Sequence, residues 1–146
     1  MRALRLWAEA SLNKIYGVAM INENMINECA KKQLPFPKVI ECLTEIGIER
    51  YYTDLIKMEK TYYSCDNESY VESMLMEPPL KVADKFDENK LIESIRASQR
   101  GEINYHTFLK NIAVAGVASY MVYIAGKQVS YAGRHGEVYV EKFPLI

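Results

Sequence analysis

The chain has 146 residues, a formal net charge of −1, 49% hydrophobic residues and 25% charged residues. That length is enough for one domain with a real core, and the balance excludes disordered, collagen-like and disulfide-scaffold classes. Lys and Arg number 9 in residues 1–73 and 9 in residues 74–146, so no basic stripe points to nucleic acid.

Residues 1–21 form a leader with Leu4, Leu6, Trp7, Ala10 and Leu12 at spacings that suit an amphipathic helix. Glu9 interrupts any apolar core there, so the stretch does not read as a secretory signal. Met20 stands just ahead of the first regular helix, expected over 22–33.

From Phe36 onward the chain matches itself at an offset of 69. Phe36–Glu72 lies on Tyr105–Glu141 without a gap, and 7 of 37 positions are identical: Gly47/Gly116, Tyr51/Tyr120, Tyr62/Tyr131, Glu68/Glu137, Tyr70/Tyr139, Val71/Val140 and Glu72/Glu141. Pairs such as Val39/Phe108, Ile40/Leu109 and Leu43/Ile112 keep their apolar character at helical spacing. Each helix should stop at Gly47 or Gly116, since glycine accepts the left-handed conformation that ends a helix. Three strands should follow in each copy, over about 49–56, 60–65 and 68–73, and over about 118–125, 128–134 and 137–143. Turns are expected at Lys57-Met58 and Gly126-Lys127, then at Asp66-Asn67 and His135-Gly136.

Between the copies lies a Pro-Pro linker over 77–86, because Pro78-Pro79 suits neither helix nor central strand. A second upstream helix is expected over 87–100, with Asp87 as its N-cap. The apolar run Ile112–Gly126 contains Gly116, Ser119 and Tyr120 and is too short to span a bilayer, so it reads as a helix end followed by a buried strand. The fold class expected is therefore α+β: an internal duplication of a helix plus a three-stranded antiparallel meander, with the helices packed on antiparallel sheet. Its repeats, about 22–76 and 87–144, should share one domain over 22–146, because a lone meander is marginally stable.

The stretch Ser98-Gln99, Gly101, Tyr105, Phe108, Ile112-Ala113, Gly116-Val117 and "YMVYIAGKQVSYAGRHGEVYVEKFP" resembles the YbcV-like bacterial family, sometimes labelled phage envelope protein, over about residues 25–144. The resemblance implies a small bacterial protein, prophage-associated, without an established activity. The chain departs from that pattern by placing Ser98 where a histidine is often found and Ser119-Tyr120 where an aromatic residue commonly leads. A catalytic reading needing that histidine lacks its residue.

Candidate site residues come from the repeated Glu-x-Tyr-x-Glu. Alternation puts Glu68, Tyr70 and Glu72 on one strand face, and Glu137, Tyr139 and Glu141 on another, with Tyr131 on the adjoining strand. Four carboxylates facing one cleft would hold a cation or polarise water. The plainer expectation is a solvated face, with Val71, Val138 and Val140 packed into the core.

No metal or cofactor is expected: His106 and His135 lack ligand spacing, and no phosphate loop or nucleophile motif is present. Cys29, Cys42 and Cys65 form no CxxC pair and suit a reduced, cytoplasmic setting. The 11 Tyr outnumber 4 Phe and 1 Trp, which favours sheet and interface surface. The functional expectation is a non-enzymatic binding module that uses a Tyr-rich sheet face or the seam between repeats. Its partner would be a protein or a second copy, with no membrane and no nucleic acid. The alternative is a small hydrolase or metal-dependent enzyme using the repeated carboxylates.

Overall fold

A computed structural model describes residues 23–31 and 34–143; the leader expected over 1–21 lies outside them. In chain order the elements are α1 (Glu23–Lys31), α2 (Phe36–Glu45), β1 (Ile48–Asp54), β2 (Glu59–Ser64), β3 (Ser69–Ser73), α3 (Glu88–Gln99), α4 (Tyr105–Val114), β4 (Val117–Tyr123), β5 (Gln128–Gly133) and β6 (Val138–Lys142). The strands form a six-stranded sheet in the order β3-β2-β1-β4-β5-β6, so the fold is α+β with antiparallel sheet.

The bounds of α2, β1, β2 and β3 become those of α4, β4, β5 and β6 when 69 is added. Local backbone chemistry explains the agreement. Positive φ recurs at Gly47 and Gly116, at Met58 and Lys127, and at Asn67 and Gly136, three pairs that share the same offset. Between β1 and β4, Leu55 N–H donates to the Ala118 carbonyl at 3.0 Å and Ile124 N–H donates to the Glu49 carbonyl at 2.9 Å. Adding 69 to the first bond's donor gives the donor of the second, and subtracting it from the first acceptor gives the second acceptor.

The chain groups into two compact units, each drawing on both halves of the sequence. The first holds the described residues up to Tyr51, with Thr61–Val71 and Tyr123–Gly126. Its core contains Ile26, Leu43, Ile48 and the ring pair Tyr51–Tyr62, whose centroids lie 5.4 Å apart. A disulfide joins Cys29 of α1 to Cys42 of α2, with Cα atoms 5.7 Å apart. The expectation of reduced thiols is corrected here for that pair: helix packing brings together two cysteines whose sequence spacing carries no pairing signal. At offset 69 their counterparts are Ser98 and Asn111, which cannot cross-link. Cys65 is the remaining thiol.

The second unit holds Tyr52–Lys60, Glu72–Val122 and the described residues from Lys127 on. Leu91 and Ile95 of α3, Phe108, Leu109 and Ile112 of α4, and Val117, Tyr120 and Val122 of β4 are buried in it. Both of its helices carry side-chain N-caps, Asp87 accepting from Lys90 N–H at 3.1 Å and Asn104 accepting from Thr107 N–H at 2.8 Å. The linker is pinned down: Ala83 N–H and Asp87 N–H donate to the Ala113 and Ala115 carbonyls, and Val82 is buried. A Cβ on Gly116 would strike the Lys85 carbonyl and lie 2.8 Å from the Phe86 Cα, so this helix end must be glycine on two counts, close approach and positive φ.

One expectation is overturned on the edge strands. Val138 is 56% exposed and Val140 44%, whereas Tyr139 and Glu141 are half-buried; Val71 is likewise exposed, at 53%. The valines therefore do not pack the core. Alternation guarantees two unlike faces but does not say which one is covered. On β6 the inward side carries Glu141 to Arg96 of α3, and β3 has the same phase although Asn27 stands at the position matching Arg96.

Candidate functional site

Strands β5 and β6 pair antiparallel with Tyr131 opposite Tyr139, Ser130 opposite Val140, Ala132 opposite Val138 and Val129 opposite Glu141. One side of this ribbon thus carries Val129, Tyr131, Tyr139 and Glu141, and the other carries Ser130, Ala132, Val138 and Val140.

The covered side holds a chain of tyrosines. Tyr105 at the start of α4 and Tyr120 of β4 share a hydrogen bond between hydroxyls, 2.6 Å long. The Tyr120 and Tyr131 rings lie 5.6 Å apart, and those of Tyr131 and Tyr139 lie 6.5 Å apart. Tyr139 then donates to Glu141 Oε2 at 2.6 Å, and Glu141 also takes a hydrogen-bonded ion pair from Arg96. Lys60 Nζ lies 4.4 Å from the centroid of the Tyr105 ring. Tyr105 is 44% exposed as a residue, yet its hydroxyl end is buried against Tyr120.

Within this cluster the buried phenols stay un-ionised at ordinary pH while Glu141 and Arg96 stay charged. Burial pushes the Tyr105, Tyr120 and Tyr131 phenols well above their usual range, with the Glu72 charge adding to the rise at Tyr105. Burial would also raise Glu141, but the hydrogen bonds from Arg96 and Tyr139 outweigh it and hold the carboxyl below the usual range. Tyr139 is raised chiefly because it donates to that carboxylate. Thr53 Oγ1 is fully buried without a partner at full hydrogen-bond geometry; it lies close enough to Tyr120 to favour the phenolate slightly.

Of the sequence-derived candidates, Tyr131, Tyr139 and Glu141 meet in this cluster. Glu137 belongs to the turn before β6, where its Oε1 accepts from His135 N–H at 2.9 Å. Glu72, in the second unit, acts on Tyr105 through its charge, while Glu68 and Tyr70 belong to the first unit, where the Glu68 carbonyl accepts from Ser64 N–H at 2.9 Å. Among the described residues no three His, Cys, Asp or Glu side chains are grouped so as to hold a metal ion. His135 Nε2 lies 3.0 Å from Asp84 Oδ1 in an exposed pair, and His106 lines a shallow hollow with Leu75, Met76, Glu77 and Lys110. Burial, then Asp66, pushes the Cys65 thiol up to about 11, which leaves it a poor nucleophile at neutral pH.

Sequence reasoning missed Thr53, Lys60, Arg96, Tyr105 and Tyr120, although a signal existed. At offset 69 three of them stand against apolar residues: Thr53 against Val122, Lys60 against Val129, and Tyr105 against Phe36. Arg96 stands against Asn27, which carries no charge. The identities supply Tyr120, Tyr131, Tyr139 and Glu141, and the departures supply the polar groups set around them.

The uncovered side is simpler. Val138 and Val140 present apolar surface beside Ala132 and Ser130, on the last strand of the sheet among the described residues. Gly133 N–H donates to the Glu137 carbonyl and Phe143 N–H to the Lys127 carbonyl, so the odd-numbered residues of β6 face β5 with their peptide groups. The peptide groups of Val138, Val140 and Lys142 therefore point outward along the edge.

The chain is similar to several proteins described as uncharacterized. Over 111 residues it is 23% identical to the uncharacterized protein Mb2035 of Mycobacterium bovis, covering 76% of this chain and 68% of that protein. It matches the uncharacterized proteins MT2067 and Rv2012 of Mycobacterium tuberculosis to the same extent. Among the described residues no helix is long and apolar enough to cross a membrane. A family model matches residues 24–142, and the chain therefore belongs to the family described as protein of unknown function (DUF1398).

Proposed function

We propose that this chain is a binding module that engages a protein partner through the uncovered side of its β5–β6 ribbon. The observation that carries the reading is the exposure of Val138 and Val140 on a strand whose tyrosine and glutamate are tied inward. An interface core is depleted in charge and favours apolar contact, and this ribbon face offers Ala132, Val138 and Val140, with the uncharged polar Gln128 and Ser130 beside them and charge only at Lys142. The carboxylate-enzyme reading gains no support, because Glu141 already serves Arg96 and Tyr139.

The same reading takes the molecule to be one domain built by tandem duplication. The finer placing among YbcV-like, phage-associated proteins rests on the resemblance over about residues 25–144. A photo-crosslinking side chain at position 138 in the producing cell tests the binding role, with one at Glu93, exposed on α3, as control. A discrete adduct from position 138 and none from position 93 is expected. Equal labelling from both, or none from either, would contradict the reading.

A further inference from the structure

We propose that the partner is a second copy of this chain, bound edge to edge through antiparallel β6 strands centred on Val140. This rests on the reading of the β5–β6 ribbon as a binding surface, and it goes further by naming the occupant.

Because Val138, Val140 and Lys142 direct their N–H and C=O groups outward, they are the residues that can pair with an added strand. An isologous dimer needs its twofold axis to pass through one pair, and Val140 is the middle member of the three. Centred there, Val140 meets Val140 of the other copy, and Val138 meets Lys142. About six backbone hydrogen bonds form with no change of register.

Charge gives the second argument. In this register no like charges stand opposite one another: Lys142 lies against Val138, which its aliphatic stem can cover, and Glu141 lies against Tyr139. A register centred on Lys142 would oppose two ammonium groups. One centred on Val138 would use up the turn residues before β6. On the outer face the two copies would join Ala132, Val138 and Val140 into one apolar stripe across the junction.

The edge itself supplies the third argument. Sheet edges are usually guarded by proline, bulges, lysines, inward-pointing charge or shortness. Strand β6 is Val-Tyr-Val-Glu-Lys: it has no proline, its one inward charge, Glu141, is neutralised by Arg96, and its one lysine, Lys142, stands at the end of the strand and falls against Val138 in this register. The opposite edge, β3, reads Ser-Tyr-Val-Glu-Ser, so serines take the places of Val138 and Lys142 and leave Val71 alone on its outer side. A junction made by one pair of five-residue strands is small and belongs to the transient class.

Sedimentation velocity of the full chain between about 5 and 500 µM tests the proposal, since mass action must populate the dimer across such a range. The parent should move from monomer to dimer. Val140→Lys, which sets two ammonium groups on the axis at an already exposed position, should stay monomeric with an unchanged circular dichroism spectrum. Val71→Lys on the other edge should dimerise like the parent. A parent that is monomeric throughout, a Val140→Lys variant that still dimerises, or a Val71→Lys variant that does not would each overturn it. If the parent is monomeric while position 138 crosslinks to a different protein, the dimer is refuted and the binding-module reading stands.

Discussion

At Glu141 the contest between burial and pairing settles the charge. Its side chain is 15% exposed, and the Arg96 and Tyr139 hydrogen bonds keep the carboxyl ionised below its usual range. A depressed folded-state value stabilises the fold above the unfolded value of about 4.3, and that contribution is lost as pH falls through the folded value. Glu141→Gln should therefore cost about 1–2 kcal/mol at neutral pH, measured by urea denaturation. The gap between variant and parent should close as pH is lowered towards 3; a gap constant with pH would show that the ion pair contributes nothing. The buried phenols carry the opposite sign. Their raised values stabilise the fold below about pH 10 and lose that effect as pH rises through the folded values. Of 11 tyrosines, Tyr105, Tyr120 and Tyr131 should stay un-ionised in the native chain, seen as missing tyrosinate absorbance until alkaline unfolding releases it. Full reversible titration near pH 10 with the fold intact would contradict their burial.

Between elements, the tightest constraint is where the linker crosses the end of α4. Gly116→Ala combines positive φ with a collision against backbone at Lys85 and Phe86, which cannot rotate away. It should cost roughly 3 kcal/mol or more. Gly101→Ala meets nothing within 4 Å and suffers only its φ of +71°, so about 1 kcal/mol is expected. Thermal melts of the two variants give the comparison, and equal shifts would mean that the linker does not sit as described. The Cys29–Cys42 bridge closes a loop of sequence separation 13, for which chain entropy gives about 3 kcal/mol. Cys42→Ser should lower the melting temperature by a corresponding amount, and an unchanged melt would show that the bridge does not form.

Element bounds were legible in the sequence because they depend on local chemistry: glycines at helix ends, turn residues at positive φ, and helical spacing of apolar residues, all written twice. The phase of β6 was not, since valine-glutamate alternation is compatible with either side facing in, and contacts such as that of Glu141 with Arg96, 45 residues away, leave no mark on the alternation. The disulfide was hidden for the same reason, being a consequence of how α1 meets α2. Tyr131, Tyr139 and Glu141 were found because the repeat preserves them. Their neighbours Thr53, Lys60 and Tyr105 were overlooked because they are the places where the repeat is broken.

For the molecule as a whole, the two halves share element bounds at an offset of 69 but differ in chemistry. One carries a disulfide between its helices where the other has Ser98 and Asn111. Polar side chains from both halves are gathered around Tyr120, while the edge strand β6 turns valine outward. The binding reading depends on that last feature, because a strand with its valines buried would have no apolar face to offer. Urea denaturation of Val140→Asp, at a concentration low enough to keep the chain monomeric, tests it most directly. The variant should lie within about 0.5 kcal/mol of the parent, as expected for an exposed position. A loss of about 3 kcal/mol or more would place Val140 in the core and reverse the strand.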